Sequence, residues 1–373
     1  MSKTLGIGIL GCGNISAAYM RLSPLFKGIE VRACADINEA AAKARAEEFG
    51  LRAETVDGLL AASDIDIIVN LTVPAVHYDV SRRVLEAGKH VYSEKPFVLS
   101  LEEGESLAAI AKEKGLRVGS APDTFLGGAH QLARHLIDSD AIGKVTSGTC
   151  FVQSPGMEMW HPNPDFFFQA GGGPILDLGP YYVSNLVQLL GPVKRVCAMS
   201  SAGSEYRTIT SEPRNGEKIK VETPTTIHAV MQFRSGAQIT YCASWDVWQH
   251  GHSNMELYGR SGTLHVPDPN FFGGEVRMTD KGSFVTLSEA WNHPFSKSND
   301  RGHANYRTAG LADMALAILE NRPHRCSLEF ALHVVDVMTS ILASGESGTF
   351  IDIKTTCERP EALDPQAAKG LLV

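Results

Sequence analysis

Three side chains in this sequence are typed and spaced for hydride and proton chemistry. They are Lys95, in Glu94-Lys95-Pro96, and the pair Asp177 and Tyr181, which follows Gly171, Gly172 and Gly173. Taking a hydride from a carbinol carbon needs a base for the hydroxyl proton and a cation or donor for the developing alkoxide. A lysine can supply both. Pro96 restricts Lys95 to extended backbone, which at a strand end aims its side chain outward. The spacing of four predicts Asp177 and Tyr181 on one face of one helical turn, where acid and phenol could hold a sugar hydroxyl and relay its proton. Each signal alone has a plainer reading: a surface lysine, an acid at a helix start, a core tyrosine.

A hydride needs an acceptor, and residues 5–16, LGIGILGCGNIS, offer a place for one. An apolar strand running into Gly11, Gly13, Asn14 and Ile15 puts small residues where the backbone must turn sharply and let a pyrophosphate approach a helix N-terminus. Ser16 stands where the fingerprint has its third glycine, and it is small enough for close packing. Asp36 ends a second strand, 23 positions beyond Gly13, near the ~20 expected of a carboxylate that receives ribose hydroxyls. It would repel a 2′-phosphate, so NAD is expected rather than NADP.

The elements that must position these groups follow from the pattern. Residues 38–49 predict a helix stopped by Gly50, 65–74 form an apolar run suited to a covered parallel strand, and 76–87 predict a helix stopped by Gly88. Alternating strands and helices to about residue 119 imply a doubly wound α/β sheet, whose ligands bind beyond the carboxyl ends of the strands. That adds Thr72, Pro74, His77, Glu94 and Lys95 to the cofactor set. After a helix over 124–137, runs of alternating apolar and polar residues predict a large, mostly antiparallel sheet with one open face. Residues 203–223 read as a mobile excursion or hairpin, helices are expected over 304–320 and 328–344, and a short strand and a proline-containing tail close the chain. Two domains are expected: a dinucleotide-binding Rossmann domain over 1–122, and an α+β domain over 123–373 for substrate and oligomerisation.

Composition narrows the partners. The chain has 373 residues, 43% of them apolar and 20% charged, with a net charge of −8. That gives no electrostatic reason to bind nucleic acid or an anionic membrane. No run reaches the ~20 apolar residues of a membrane helix, the first strand does not read as a signal peptide, and a cytoplasmic location is expected. Seven scattered cysteines without a CxxC pair argue against a disulfide framework or a thiolate zinc site. The histidines show no HExxH spacing, so no metal is expected.

The four tryptophans all fall beside histidines or acids, in 157–168, 245–252 and 291–295. Indole faces next to hydrogen-bonding groups suit pyranose rings, which points to a carbohydrate through Trp160, His161 and Asp165. For Trp245 and Trp291 a subunit interface is an equal reading.

Together, GCGNIS, an acid ending the second strand, EKP ending a later strand and GGGxxxDxGxxY opening a helix resemble the Gfo/Idh/MocA oxidoreductases. The likeness extends through 305–325 and the TFIDI ending. It implies that Lys95 is the catalytic lysine, that Asp177 orients substrate and that Tyr181 stands where most members carry histidine. Tyrosine there resembles glucose–fructose oxidoreductase and the dimeric dihydrodiol dehydrogenases, in which it serves as acid/base. A free phenol is a poor base at neutral pH, so Tyr181 and Lys95 read as a coupled pair. The resemblance also places Asp123, with Thr124, near the nicotinamide, lays the segment opened by His303 over the cleft, and implies dimers or tetramers joined through the open sheet. The activity expected is NAD-dependent oxidation of a sugar, sugar derivative or cyclic polyol. The alternatives are a redox-neutral glycosidase that oxidises a ring transiently, using Asp165 and Asp177, and a non-enzymatic NAD or sugar sensor.

Overall fold

The computed structural model describes residues 4–280, 282–287 and 291–373. Two compact units are present. The first comprises 1–128, 293–332 and 360–373, and the second 129–292 and 333–359. The single cut expected after residue 122 therefore separates two stretches, 293–332 and 360–373, from the unit in which they are packed.

The first unit alternates β1 (Leu5–Leu10), α1 (Asn14–Leu22), β2 (Ile29–Ala35), α2 (Glu39–Phe49), β3 (Arg52–Glu54), α3 (Val56–Ala61), β4 (Ile67–Asn70), α4 (His77–Glu86), β5 (His90–Ser93), α5 (Leu101–Lys114) and β6 (Val118–Ser120). The six strands are parallel, in the order β3-β2-β1-β4-β5-β6, which reverses direction at β1 and β4 and opens a crevice there. Local chemistry sets the ends. Asn38 accepts the Ala40 and Ala41 N–H groups at 3.2 and 3.4 Å to start α2, and Gly50 ends it in the left-handed conformation. β1 and β4 are buried along their whole lengths, as a sheet covered on both faces requires.

The second unit holds α6 (Gly128–Asp138), which begins at the last residue of the first unit, then β7 (Val145–Gln153), α7 (Asp165–Phe168), α8 (Pro174–Asp177), α9 (Gly179–Leu190), β8 (Val193–Ser201), β9 (Tyr206–Thr208), β10 (Lys218–Lys220), β11 (Thr226–Phe233), β12 (Gln238–Ser244), β13 (Met255–Gly259), β14 (Thr263–Val266), β15 (Arg277–Asp280) and β16 (Ser283–Thr286). With β17 (Ile351–Asp352) they form a sheet in the order β16-β15-β14-β13-β7-β12-β11-β8-β17, antiparallel except for β7 beside β12. All of α9 is buried, and a Cβ on Gly179 would lie 3.1 Å from Met338 Sδ and 3.6 Å from the Tyr241 hydroxyl. Helix and sheet are thus pressed together on one face. The other face leaves Met199 79% and Val230 46% exposed.

The excursion expected at 203–223 is an ordered hairpin, β9 against β10. Ile209 and Ile219 bury into a cluster with Met157, Phe167, Phe168 and Trp245. Arg207 fastens it by donating to Glu158 at 3.0 Å and the Trp245 carbonyl at 2.8 Å, and by pairing with Asp246.

The later chain adds α10 (Ala309–Glu320), α11 (Leu328–Ser347) and α12 (Pro365–Leu371), the last where only a tail was expected. α10 starts five residues later than the sequence implied, because Thr308 sits at φ 91 and breaks the turn before it. α11 is long and apolar enough to cross a membrane, yet most of it is buried among the protein's own elements. Two carboxylates hold α10. Asp313, fully buried, accepts Arg322 at 3.0 Å and Arg325 at 2.6 Å, and the Arg325 N–H at 2.7 Å. Asp123 caps the other end, its Oδ2 accepting the Thr308 and Gly310 N–H groups at 3.0 Å each.

Asp313→Ala leaves two guanidinium groups without their shared anion and should cost about 3–5 kcal/mol in urea unfolding of the full chain. Burial, partly offset by the Arg307 guanidinium, pushes the Asp123 carboxyl up from 3.8 to about 6. Between these values the folded state holds a proton that the unfolded chain has lost, so stability falls as pH rises through that window and is level above it. The slope is worth up to about 3 kcal/mol. Asp123→Asn should flatten it in urea titrations compared at about pH 4.5 and 6.5.

Candidate functional site

In the first unit the strand ends form a dinucleotide cradle. Gly11 has φ +103, and a Cβ there would lie 2.7 Å from the Leu71 carbonyl carbon. No side chain could replace it. Gly13, the residue before α1, would place a Cβ with nothing within 4 Å, and no side chain caps the helix. Open space over an uncapped helix N-terminus is what a pyrophosphate needs. Ser16 sits fully buried, its hydroxyl donating to the Gly13 carbonyl at 2.6 Å, so it fills the place of the third glycine without blocking Asn14 and Ile15.

Asp36 is fixed from two sides. Its Oδ2 accepts the Cys12 N–H at 2.7 Å and its Oδ1 the Asn38 N–H at 2.8 Å. Each oxygen keeps a further lone pair for a ribose hydroxyl. Two exposed apolar side chains, Ile37 at 95% and Val73 at 65%, lie just past β2 and β4.

Thr72 is held by Asn70, whose Oδ1 accepts its hydroxyl at 2.6 Å, and Pro74 opens a short 3-10 turn. The expectation for His77 is corrected. It is buried, with Nδ1 2.7 Å from the Pro96 carbonyl and Nε2 3.0 Å from the Thr72 carbonyl. It ties the loop after β4 to the loop after β5 and presents no ring nitrogen to a ligand. Burial pushes its imidazole toward the neutral form.

Glu94 is buried beneath Lys95 rather than exposed to a ligand. Its Oε1 accepts the Tyr19 hydroxyl at 2.9 Å and Arg307 at 3.0 Å, while its Oε2 accepts the Lys95 N–H at 3.0 Å. Burial opposes its ionisation, but Arg307, the Lys95 ammonium and these hydrogen bonds prevail and hold the carboxyl below its usual range. Lys95 itself is half-buried, at the end of β5. Asp123, expected to meet substrate, is 1% exposed and turned into the α10 terminus; its carboxylate caps a helix.

In the second unit the glycine turn is tight. A Cβ on Gly172 would lie 2.5 Å from the Phe166 and Phe167 carbonyl oxygens, and Gly173 has φ +89. Asp177 and Tyr181 do not share one helix. Asp177 ends the one-turn α8, the chain breaks at Leu178, and Tyr181 lies in the first turn of α9. Pro180 lacks the N–H that would continue the ladder. The neighbouring Tyr182 donates its hydroxyl to Asp268 and accepts from Asn254 at 3.0 Å each, and Tyr181 is buried beside it.

The aromatic loop divides into core and surface. Trp245 is fully buried, with Phe168 and Phe167 edge-on at 5.5 and 5.9 Å, so both readings considered for it, sugar face and subunit interface, give way to a core role. Trp291 stacks on His135 at 5.4 Å. Asp165 is paired through both oxygens with Arg214, which holds its carboxyl low. It anchors the hairpin loop, with both oxygens turned to Arg214. Trp160 stays 63% exposed, with His161 edge-on at 5.4 Å; His161 Nδ1 accepts the Asn163 N–H at 3.1 Å. His303 is exposed and bridged to Asp300 in the loop before α10, outside the helix it was expected to open.

Comparison with known proteins agrees with this layout. Residues 5–121 match the model of the oxidoreductase family with an NAD-binding Rossmann fold, and 130–265 match the GFO/IDH/MocA C-terminal domain. A dTDP-3,4-didehydro-2,6-dideoxy-alpha-D-glucose 3-reductase of Streptomyces violaceoruber is 30% identical over 65% of this chain and 70% of its own length. The D-xylose dehydrogenase of Paenarthrobacter nicotinovorans is 26% identical over 58% of each. A levoglucosan dehydrogenase solved with NADH and L-sorbose superposes with a TM-score of 0.80 over 95% of this chain and 100% of its own, at 21% identity, a likeness of fold. With its NAD-binding Rossmann unit and its mixed second sheet, the chain belongs to the Gfo/Idh/MocA family of oxidoreductases.

Proposed function

We propose that this chain is an NAD-dependent dehydrogenase or reductase acting on a ring carbinol of a sugar, sugar derivative or cyclic polyol. The observation that carries the reading is the lysine: Lys95 is held at the end of β5, two strands from the dinucleotide turn of β1, with its backbone fixed by Glu94. The names of the relatives, a sugar nucleotide reductase and a D-xylose dehydrogenase, favour a carbohydrate. The bound nicotinamide supplies the hydride acceptor. In this reading the Lys95 ammonium stabilises the alkoxide, Tyr181 takes the hydroxyl proton and Asp177 orients the hydroxyl that gives it up. Trp160 and His161 offer an indole face and a hydrogen-bonding ring to the sugar.

The glycosidase alternative is weakened, because Asp165, one of its two acids, is tied to Arg214 and kept ionised. A second copy of the chain is the proposed cover for the sheet face carrying Met199 and Val230, giving a homodimer or homotetramer. We place the reaction in the cytoplasm, as the composition led us to expect.

Absorbance at 340 nm, followed with NAD+ against D-xylose, levoglucosan and myo-inositol, tests the proposal. Turnover of none of them, or cleavage of an aryl glycoside without NADH, would overturn it. Lys95→Met should lower kcat by about 10²–10⁴-fold while NADH still binds by fluorescence. Asp36→Ser removes the charge facing a 2′-phosphate and should raise kcat/KM for NADP+ relative to NAD+ by about tenfold, or about 1.4 kcal/mol.

A further inference from the structure

Glu94 is a buried carboxylate with three hydrogen-bond donors, and only one of them is within reach of sequence reasoning. The Lys95 N–H on Oε2 is local. Tyr19 comes from α1 and Arg307 from the loop before α10, more than 200 residues further along the chain. The Arg307 and Glu94 side chains are 16% and 9% exposed. Arg307 also faces the Asp123 carboxylate, so one guanidinium lies among two buried acids.

We propose, resting on the reading of Lys95 as the catalytic lysine, that Arg307 is a positioning residue for it, acting through Glu94. The guanidinium and the Tyr19 hydroxyl fix one carboxylate oxygen, and the rigid carboxylate then presents its other oxygen to the Lys95 N–H. That contact sets the orientation of the 94–95 peptide and hence the direction in which the lysine side chain leaves the strand end. Without Arg307 the carboxylate loses the cation hydrogen-bonded to it and can turn or take up a proton, and the peptide it holds is released. Arg307 touches no reacting atom in this arrangement. Its effect belongs in the rate of the chemical step and not in cofactor binding.

The experiment is a cycle of Arg307→Met, Arg307→Lys, Glu94→Gln and the double variant Arg307→Met/Glu94→Gln, assayed in the full chain with NAD+ and whichever of D-xylose, levoglucosan and myo-inositol the wild type oxidises. Arg307→Met should lower kcat by about 100-fold, the loss expected from a misplacement of about 1 Å, with KM and the NADH Kd within about threefold. Arg307→Lys, which restores the charge, should recover kcat to within about tenfold of wild type. The double variant should be no slower than its slower parent, as two residues acting through one contact require. If Arg307→Met unfolds, the double variant, in which Glu94 no longer carries a buried charge, still reports. An unchanged kcat in Arg307→Met, or losses that multiply in the double variant, would overturn the proposal. A wild type inactive on all three sugars sinks the proposed function instead. The readout then becomes the resonance of Lys95 after reductive ¹³C-methylation: a shift common to Arg307→Met and Glu94→Gln supports the relay, and an unmoved resonance overturns it.

Discussion

The closeness of β1 to β4 is the constraint on which the nucleotide side of the molecule depends. The chain leaving β1 passes so near the Leu71 carbonyl that only glycine fits at position 11. From that point the backbone turns into α1, and the Cys12 N–H made available by the turn is what anchors Asp36. One steric fact thus fixes the helix terminus, the acid and the open space above Gly13 together. The functional groups here are largely backbone groups, so their placement needs only the right turn.

The rest of the candidate site is built differently. Lys95 and Asp177 depend on groups packed beside them: Glu94 with its partners next to the lysine, and a glycine turn pressed against the Phe166 and Phe167 carbonyls ahead of Asp177. The α7 phenylalanines in turn rest on Trp245 and on a hairpin fastened by Arg207 and Arg214.

This difference governs what could be read in advance. The glycine turn, Asp36, the alternation of strands and helices, and the caps at Asn38 and Gly50 are local features, and the chain itself displays them. Asp123, His77, Asp165 and Trp245 look like ligands in sequence because each is a polar or aromatic residue beside a motif. What assigns them is a distant partner: the Thr308 and Gly310 amides, the Pro96 carbonyl, Arg214 and Phe168. Spacing alone could not separate Asp177 from Tyr181 either, because the break comes from the absent N–H of Pro180. Arg307 and Tyr19 escaped notice for the same reason, since nothing near them in sequence announces Glu94.

The first unit is assembled from three stretches of chain, with most of the second unit inserted between the first and second of them. Synthesis from the N-terminus therefore delivers all six strands of the cofactor sheet long before the amides that Asp123 caps or the guanidinium that faces Glu94. Until residues 307–310 have been made, Glu94 lacks its guanidinium and Asp123 its two amides, so the contacts of these buried acids close late in synthesis.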